Sequence, residues 1–235
     1  MKATADWIPD ATDVDWIESI APPILPMAAA IEAAAATPRV PIVDRHTGRV
    51  LAALAAGRRR IAEVGTAFGY STLWLALGQP ADGTIVTIDP DTERTTRARA
   101  WWRAAGIADD RIVQVSAKAL EAFGEADHRL AGPFDLVFID ALKEEYGQYL
   151  DALIDGGRLA DGALVLADNV LWSGRVSGSQ PSDPDDTATG ALRAFCARVA
   201  ADPRFQSSIL PLGDGLLVAG WRGASTDGAD PGTTG

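Results

Sequence analysis

The sequence predicts an α/β fold in which seven strands form one mostly parallel sheet with helices on both faces. Two observations predict it. From Arg60 onward, five short β-rich runs alternate with helical stretches, and the last two apolar runs are joined by a tight turn. Strands that alternate with helices are typical of a parallel sheet, whereas a tight turn joins antiparallel strands. The chain has 235 residues, of which 47% are hydrophobic, and this suits one large domain.

Residues 1–57 are expected to form a helical cap within this domain. Trp16 and Ile20 fall on one face of a first helix. Pro22-Pro23 then separates this helix from an alanine-rich one, because proline interrupts helices. The alanine-rich run from Met27 to Ala36 is far shorter than the roughly 20 apolar residues that span a bilayer, so we expect no membrane segment here.

The middle of the chain carries the parallel part of the predicted sheet. A helix is predicted from Ser71 to Leu77 after a glycine-rich turn. Another is predicted from Asp91 to Ala105, where Gly106 is a favourable residue just past the end. The five predicted strands are Ile61 to Val64, Thr84 to Ile88, Arg111 to Val115, Phe134 to Ile139 and Ala163 to Ala167.

The C-terminal part predicts an antiparallel hairpin. Phe205 to Leu210 and Leu216 to Trp221 are apolar runs joined by Gly213-Asp214-Gly215, whose residues tolerate positive φ. From Gly223 to Gly235 no apolar residue is larger than alanine, so this tail is expected to be disordered. The single domain is therefore expected to comprise residues 1–222.

Composition and charge favour a small-molecule partner in a reducing compartment. The formal net charge of −11 would repel the phosphates of a nucleic acid, which makes nucleic-acid binding unfavourable. The only cysteine, Cys196, lies in an apolar-periodic run and suits a reduced core thiol. Met1 to Asp10 contains no apolar stretch typical of a signal peptide, so a cytoplasmic location is expected.

Three oxygen-bearing side chains stand where two apolar runs end. Asp140 follows one predicted strand, and Asp168 and Asn169 follow the next. Together they offer the hard oxygen donors that Mg²⁺ prefers, and Lys143 lies a short step away along the chain. Neighbouring side chains on a regular strand point to opposite faces, so the strand must end or bend by Asp168 for both to share a metal. A turn-favouring Asp-Asn pair predicts the same bend, but not convergence with Asp140.

The turn after the first strand predicts a ligand site of a particular kind. Gly65 and Gly69 give a G-x-x-x-G spacing instead of the G-x-G-x-x-G pattern that binds a pyrophosphate. A cationic ligand without phosphate therefore fits better, and Glu63 either meets a charged amine or is simply solvated. Asp89 follows the second strand, where nucleotide-binding sheets hold ribose hydroxyls, although it also suits a turn residue before Pro90.

Two further features follow the Asp-Asn pair. Trp172 suits either stacking on an aromatic ligand or a place in the core. The polar segment from Ser177 to Gly190 leaves the carboxyl edge of the predicted sheet, and it is either a plain connector or a lid.

Four strings occur in an order that identifies a family. They are Glu63-Val64-Gly65-Thr66 with Gly69-Tyr70-Ser71, Phe138-Ile139-Asp140-Ala141 with Lys143 and Tyr146, Asp168-Asn169-Val170-Leu171-Trp172 with Gly174-Arg175-Val176, and Pro211-Leu212-Gly213-Asp214-Gly215. The chain thereby resembles the class I S-adenosylmethionine-dependent O-methyltransferases of the caffeoyl-CoA and catechol type. The resemblance extends from about Pro41 to Trp221 and implies the Rossmann-like fold of class I methyltransferases.

The resemblance implies roles for individual residues. Asp140, Asp168 and Asn169 would hold Mg²⁺ or another divalent cation. Lys143, together with Asp140, would act in catalysis, either by assisting deprotonation of the acceptor or by orienting it. The implied contacts are Val43, Glu63, Gly65, Thr66, Ser71, Asp89, Ala117 and Asp140 with S-adenosylmethionine, and Trp172 and Tyr146 with the substrate.

Two positions depart from the family pattern. After the third strand the family usually has a glycine followed two residues later by an alanine, whereas this chain has Ala117-Lys118-Ala119. Ala117 therefore stands at the position where the resemblance implies an adenine contact, without the usual glycine. Position 142, often acidic in the family, is Leu142, which should alter the wall beside Lys143 and leave the three metal ligands intact.

The resemblance implies a metal-dependent enzyme that methylates a hydroxyl of a small catechol-like or vicinal-diol aromatic. It also implies a homodimer whose N-terminal helices close the site. One alternative is methylation of a hydroxyuridine in tRNA, against which the acidic charge argues. Another is a non-catalytic cofactor-binding module, against which the joint presence of Asp140, Lys143, Asp168 and Asn169 argues.

Overall fold

Seven strands form one sheet in the computed structural model, which describes residues 10–37, 39–125 and 127–223. The spatial order is β3-β2-β1-β4-β5-β7-β6. The first five strands are parallel, and β7 is antiparallel to both of its neighbours, so the predicted sheet is confirmed. The strands are β1 (Arg60–Val64), β2 (Thr84–Ile88), β3 (Ile112–Val115), β4 (Phe134–Ile139), β5 (Leu159–Ala167), β6 (Phe205–Leu210) and β7 (Leu216–Trp221).

The fifth strand is four residues longer than the sequence predicts. β5 begins at Leu159 rather than at Ala163, because Leu159 pairs with Phe134 across a register irregularity. Gly162 has a φ of 74° inside this strand, and an Asp-Gly pair there has the appearance of a turn in the sequence. The tail predicted to be disordered lies outside the described residues from position 224 onward.

Helices cover both faces of the sheet. They are α1 (Ala11–Ile20), α2 (Pro26–Ala36), α3 (Arg45–Ala55), α4 (Tyr70–Gly78), α5 (Thr92–Ala104), α6 (Ala119–Gly124), α7 (Tyr146–Asp155) and α8 (Thr187–Ala201). Short 3₁₀ turns lie at His128–Leu130 and Lys143–Glu145. No helix among the described residues is both long and apolar enough to cross a membrane.

Alternation along each strand divides the core into two layers. In β1, Ile61 packs with helices α2 to α5, whereas Ala62 and Val64 pack with helices α6 to α8. Glu63 therefore falls on the same face as Ile61. Helices α2 and α3 of the expected cap share this core, but α1 buries none of its residues and is tied to α3 by a 2.9 Å ion pair between Glu18 and Arg49.

The parallel strands end at one edge, and hydrogen bonds continue the ladder just past their ends. The Gly65 amide donates to the Ile88 carbonyl at 2.9 Å, and the Asp140 amide donates to the Val64 carbonyl at 2.8 Å. The Asp168 amide donates to the Ile139 carbonyl at 3.1 Å. These bonds fix the glycine turn and the residues after β4 and β5 side by side at the carboxyl edge of the sheet, where open α/β sheets bind ligands.

Candidate active site

A cavity of about 630 Å³ opens at this carboxyl edge. Its size falls within the range of small-molecule sites. The segments that follow all five parallel strands contribute to its wall, and Pro41 to Val43 add a side just before α3. The cavity therefore joins the predicted cofactor turn to the predicted metal ligands.

The glycine turn packs closely against the residues that follow β2 and β4. Gly65 has a φ of 104°, and a Cβ at this position would overlap the backbone carbonyl of Asp140. The Asp89 carboxylate accepts hydrogen bonds from the amides of Thr66 at 3.1 Å and Ala67 at 2.8 Å. Asp89 and the turn thus form one rigid unit that lines the cavity.

Glu63 differs from the sequence expectation. Its side chain is 0% exposed, so it is not solvated, and it is not among the residues that line the cavity. The carboxylate accepts hydrogen bonds from the hydroxyls of Ser71 at 2.7 Å and Thr87 at 2.6 Å, and also from Thr72. Because these hydroxyls occupy it, Glu63 does not face a charged amine. It instead fixes Ser71, which does line the cavity.

Burial raises the pKa of Glu63 to about 7, although its three hydroxyl donors act in the opposite direction. Its folded pKa lies above the ordinary value of 4.5, so its contribution to stability is full below that pH and is lost as pH rises through about 7. Glu63→Gln mimics the protonated acid. As pH rises from about 5 to about 8, we expect its free energy of unfolding to increase by up to about 3 kcal/mol relative to that of wild type. Denaturant unfolding across this range measures the difference.

A surface variant, Glu121→Gln, provides the matched control, because that glutamate is exposed and should leave the pH profile unchanged. Parallel profiles for wild type and Glu63→Gln would show that Glu63 is ionised in the folded protein throughout this range.

Lys143 is nearly buried beside two polar side chains. It is 9% exposed, and its Nζ donates to Asp140 Oδ1 at 2.7 Å and to the Tyr146 hydroxyl at 2.8 Å. The Tyr146 hydroxyl in turn donates to the Asp168 carbonyl at 3.1 Å. An ammonium has three donors, so one remains for the cavity, which Lys143 lines.

The expectation that Tyr146 contacts substrate is wrong for this structure. Its side chain is 0% exposed and does not line the cavity, because the ring packs against Phe195 and the hydroxyl is used by Lys143 and Asp168. Burial, followed by the charges of Asp140 and Asp168, holds the pKa of Tyr146 well above its usual value. Tyr146 therefore stays protonated and positions Lys143.

The required bend after β5 is present. The strand ends at Ala167, and Asn169 has a φ of 58°, so Asp168 and Asn169 both reach the cavity wall that Asp140 lines. Asp168 is 4% exposed, and burial together with repulsion by Asp140 raises its pKa to about 7. Its Oδ1 is buried without a hydrogen-bond partner, and Asn169 Nδ2 donates to Oδ2 at 3.3 Å.

This unsatisfied oxygen is the observation that fits a bound cation, since a buried acceptor without a partner is costly. Within the described residues, no group of three or more His, Cys, Asp or Glu side chains is arranged to hold a metal ion. A metal at this edge would therefore need the Asn169 amide as its third protein ligand. The two carboxylates and one amide are hard oxygen donors of the kind that suits Mg²⁺.

The remaining sequence-predicted residues divide into two groups. Val43, Thr66 and Trp172 line the cavity, but Ala117 does not, because it packs against the core on the side of α6 to α8. Its neighbour Lys118 lines the cavity instead.

Several wall residues were missed in the sequence analysis. Tyr70 lies between predicted residues, and its hydroxyl donates to Glu32 of α2 at 2.6 Å, which a helical pattern alone does not reveal. Three more wall residues lie outside the predicted set: Ile42, one residue before Val43, Arg94, in the first turn of α5, and Glu144, beside Lys143. Tyr70, Ile42 and Glu144 could have been found because each adjoins a predicted site residue, whereas Arg94 does not.

The polar segment after Trp172 is braced against the cavity wall. Arg175 stacks on the Trp172 ring, with 4.7 Å from its guanidinium carbon to the ring centre, and pairs with Asp186 at 3.3 Å. Asp186 also caps α8. Thr187 donates to Glu144 at 3.1 Å, and Ala188 lines the cavity. The far end of the segment is thus the first turn of a helix fixed to the wall.

Comparisons with known proteins find relatives that match most of the chain. The model of a family described as O-methyltransferase matches residues 32–221. A catechol O-methyltransferase of Mycobacterium tuberculosis is 37% identical over 191 residues, covering 80% of this chain and 81% of that protein. Tricin synthase 1 of Oryza sativa subsp. japonica is 37% identical over 171 residues, covering 69% of this chain and 67% of that protein.

Solved structures show the same fold. The O-methyltransferase TomG from Streptomyces achromogenes, involved in tomaymycin synthesis and solved in complex with SAM, superposes with a TM-score of 0.78. It is 28% identical, and the match covers 95% of this chain and 100% of that chain.

Proposed function

Because this chain belongs to the O-methyltransferase family, we propose that it transfers the methyl group of S-adenosylmethionine to one hydroxyl of a small aromatic vicinal diol, with a divalent cation bound. The observation that carries the proposal is the convergence of Asp140, Lys143, Asp168 and Asn169 on one cavity that the glycine turn also lines. A phenol with an ordinary pKa of about 10 is mostly protonated at neutral pH, so its hydroxyl must be activated. These four side chains are suited to that task.

The half of the cavity above β1 to β3 suits the cofactor, and we call it the cofactor half. S-adenosylmethionine supplies a methyl group on a positively charged sulfur and carries no phosphate. A carboxylate has about four acceptor sites, and Asp89 uses three of them on backbone amides, so it retains one for a ribose hydroxyl. Ser71, held by Glu63, and the backbone at Gly65 and Thr66 line the rest of this half.

The half above β4 and β5 suits the acceptor, and we call it the acceptor half. Asp140, Asp168 and Asn169 would hold a divalent cation there, and the unpartnered Oδ1 of Asp168 supports this assignment. Such an ion, when bound, stabilises a phenolate as a Lewis acid and fixes the two oxygens of a diol.

Lys143 is positioned to accept the proton of the acceptor hydroxyl. Asp140 and Tyr146 fix its Nζ in one position, which leaves a single direction toward the cavity. In the proposed reaction the acceptor hydroxyl lies against Nζ. After the ammonium has released one proton to solvent, Nζ takes up the hydroxyl proton as the oxygen attacks the methyl group. Orientation of the hydroxyl in line with the bond that breaks adds to the rate.

Methyl transfer to a panel of catechols, with and without a chelator, tests the proposal. We expect catechols to be methylated with Mg²⁺ present, chelator to abolish the activity, and added Mg²⁺ to restore it. A monophenol with the same ring substituents serves as the control, since it lacks the second oxygen. Activity unaffected by chelator would remove the metal from the proposal, and methylation of no diol would overturn it.

The other expectations from the sequence stay predictions. They are the homodimer, the cytoplasmic location and the extent of the single domain over residues 1–222. Within the proposed function, the acidic net charge of −11 continues to favour a small-molecule acceptor over tRNA.

A further inference from the structure

The charged residues of the cavity wall are divided unevenly between its two halves. Arg94 and Lys118, which follow β2 and β3, lie on the cofactor half. The described wall residues of the acceptor half include one cation, Lys143, which is 9% exposed and paired with Asp140 at 2.7 Å. A negatively charged group on an acceptor would therefore find no free cation on this part of the wall.

The acceptor half instead offers apolar surface. Leu142 lines the cavity and is 60% exposed, which is high for a large aliphatic side chain. Trp172 lines the same half, and Arg175 fixes its ring by stacking on it. Covering such side chains with an aromatic ring or an alkyl chain removes apolar surface from water and is favourable.

Acidic groups lie around this apolar surface. Glu144 lines the cavity, is exposed and accepts one hydrogen bond from Thr187. The exposed stretch from position 177 to 185 carries Asp183 and Asp185 and no basic residue. The charge of Arg175 is neutralised by Asp186 at 3.3 Å, and the guanidinium of Arg193, the other cation beside this segment, donates to the backbone carbonyls of Arg175 and Val176. Like charges across an interface disfavour a partner, so an anionic acceptor is repelled here.

Building on the proposed methyl transfer, we propose that the preferred acceptor is an uncharged catechol with an apolar substituent, and that Leu142 and Glu144 set this preference against thioesters of coenzyme A. The thioester carries several phosphate charges on its long tail, whereas a simple ester of the same acid carries none. Leu142 contributes contact surface, and Glu144 contributes repulsion.

Two acceptors that share the same catechol ring test this proposal: methyl caffeate, which is neutral, and caffeoyl-CoA, which is anionic. We expect kcat/KM to be at least about 10-fold higher for methyl caffeate. Isothermal titration calorimetry of each acceptor, with S-adenosylhomocysteine and Mg²⁺ present, measures the same preference without turnover. Equal values, or a preference for caffeoyl-CoA, would overturn the proposal.

Variants assign the preference to residues. Leu142→Glu should raise KM for methyl caffeate by about 10-fold and change kcat little, because it removes contact surface and adds charge. Leu77→Glu is the matched control, since Leu77 is also exposed but lies on α4 away from the wall. Glu144→Lys should lower KM for caffeoyl-CoA and so reduce the difference in kcat/KM between the two acceptors. Unchanged KM values in both wall variants would overturn the assignment.

Arg39 provides a further check, because it is exposed and precedes the wall residue Pro41 by two positions. If Arg39 recruited an anionic tail, caffeoyl-CoA would be the better acceptor and Arg39→Ala would weaken its binding, which contradicts the proposal. If calorimetry shows the expected preference but neither compound is methylated, the proposed function fails while the acceptor preference stands.

Discussion

Replacement of Lys143 by methionine is expected to lower kcat for a catechol by about 10²- to 10⁴-fold, the usual contribution of a positioned proton acceptor. The affinity for S-adenosylhomocysteine should stay within about twofold of wild type, because Lys143 contacts Asp140 and Tyr146 rather than the glycine turn. Methionine fills most of the same volume, so packing is retained. Steady-state kinetics and calorimetry with S-adenosylhomocysteine measure the two quantities.

Two companion variants make this test specific. Lys143→Arg keeps the positive charge but cannot release a proton, so it should be as slow as Lys143→Met if Nζ accepts the proton. Arg103→Met is the control, since Arg103 is an exposed cation on α5 that pairs with Asp109 and does not line the cavity. Equal loss of turnover and of cofactor affinity in Lys143→Met would contradict the assigned role. Recovery of activity in Lys143→Arg would assign Lys143 to orienting the acceptor.

Replacement of Asp168 by alanine is expected to lower kcat/KM for catechols by more than about 100-fold and to leave the fold intact. In the absence of metal, the variant should be at least as stable as wild type. The physical reason is that the Asp168 carboxylate is buried, repelled by Asp140 and lacks a partner at Oδ1, so its removal relieves an unfavourable charge. Activity assays and thermal unfolding in chelator measure both effects.

Asp151→Ala is the control for this variant, because Asp151 lies on α7 in an ion pair with Arg198 and does not line the cavity. It should leave the activity unchanged. Marked destabilisation of Asp168→Ala in chelator would indicate that Asp168 serves the fold rather than a ligand.

The sheet was predictable from local patterns because each strand is a short apolar run that ends at a turn residue. β2, β4, β6 and β7 have the predicted bounds. Sites at strand ends were predictable for the same reason, since parallel strands end at one edge. The start of β5 was not, because its pairing across Gly162 depends on a partner strand far away in the sequence.

Partners distant in the sequence also explain the incorrect site assignments. The hydroxyl donors that occupy Glu63 come from α4 and from Thr87 of β2, and no pattern around position 63 reveals them. Tyr146 was different, because it lies three residues after Lys143, a spacing at which side chains on a helical turn meet. That spacing was a usable sign that the tyrosine supports the lysine and does not contact a substrate.

Binding of Mn²⁺ as a stand-in for Mg²⁺ tests most directly whether Asp140, Asp168 and Asn169 bind one divalent cation. Electron paramagnetic resonance detects free Mn²⁺, so a titration gives the number of sites and their affinity without a turnover assay. For wild type, we predict one site per chain that Mg²⁺ displaces, and for Asp168→Ala a loss of affinity of at least about 10-fold. Equal Mn²⁺ affinity in the two proteins, or no binding by wild type, would contradict the account.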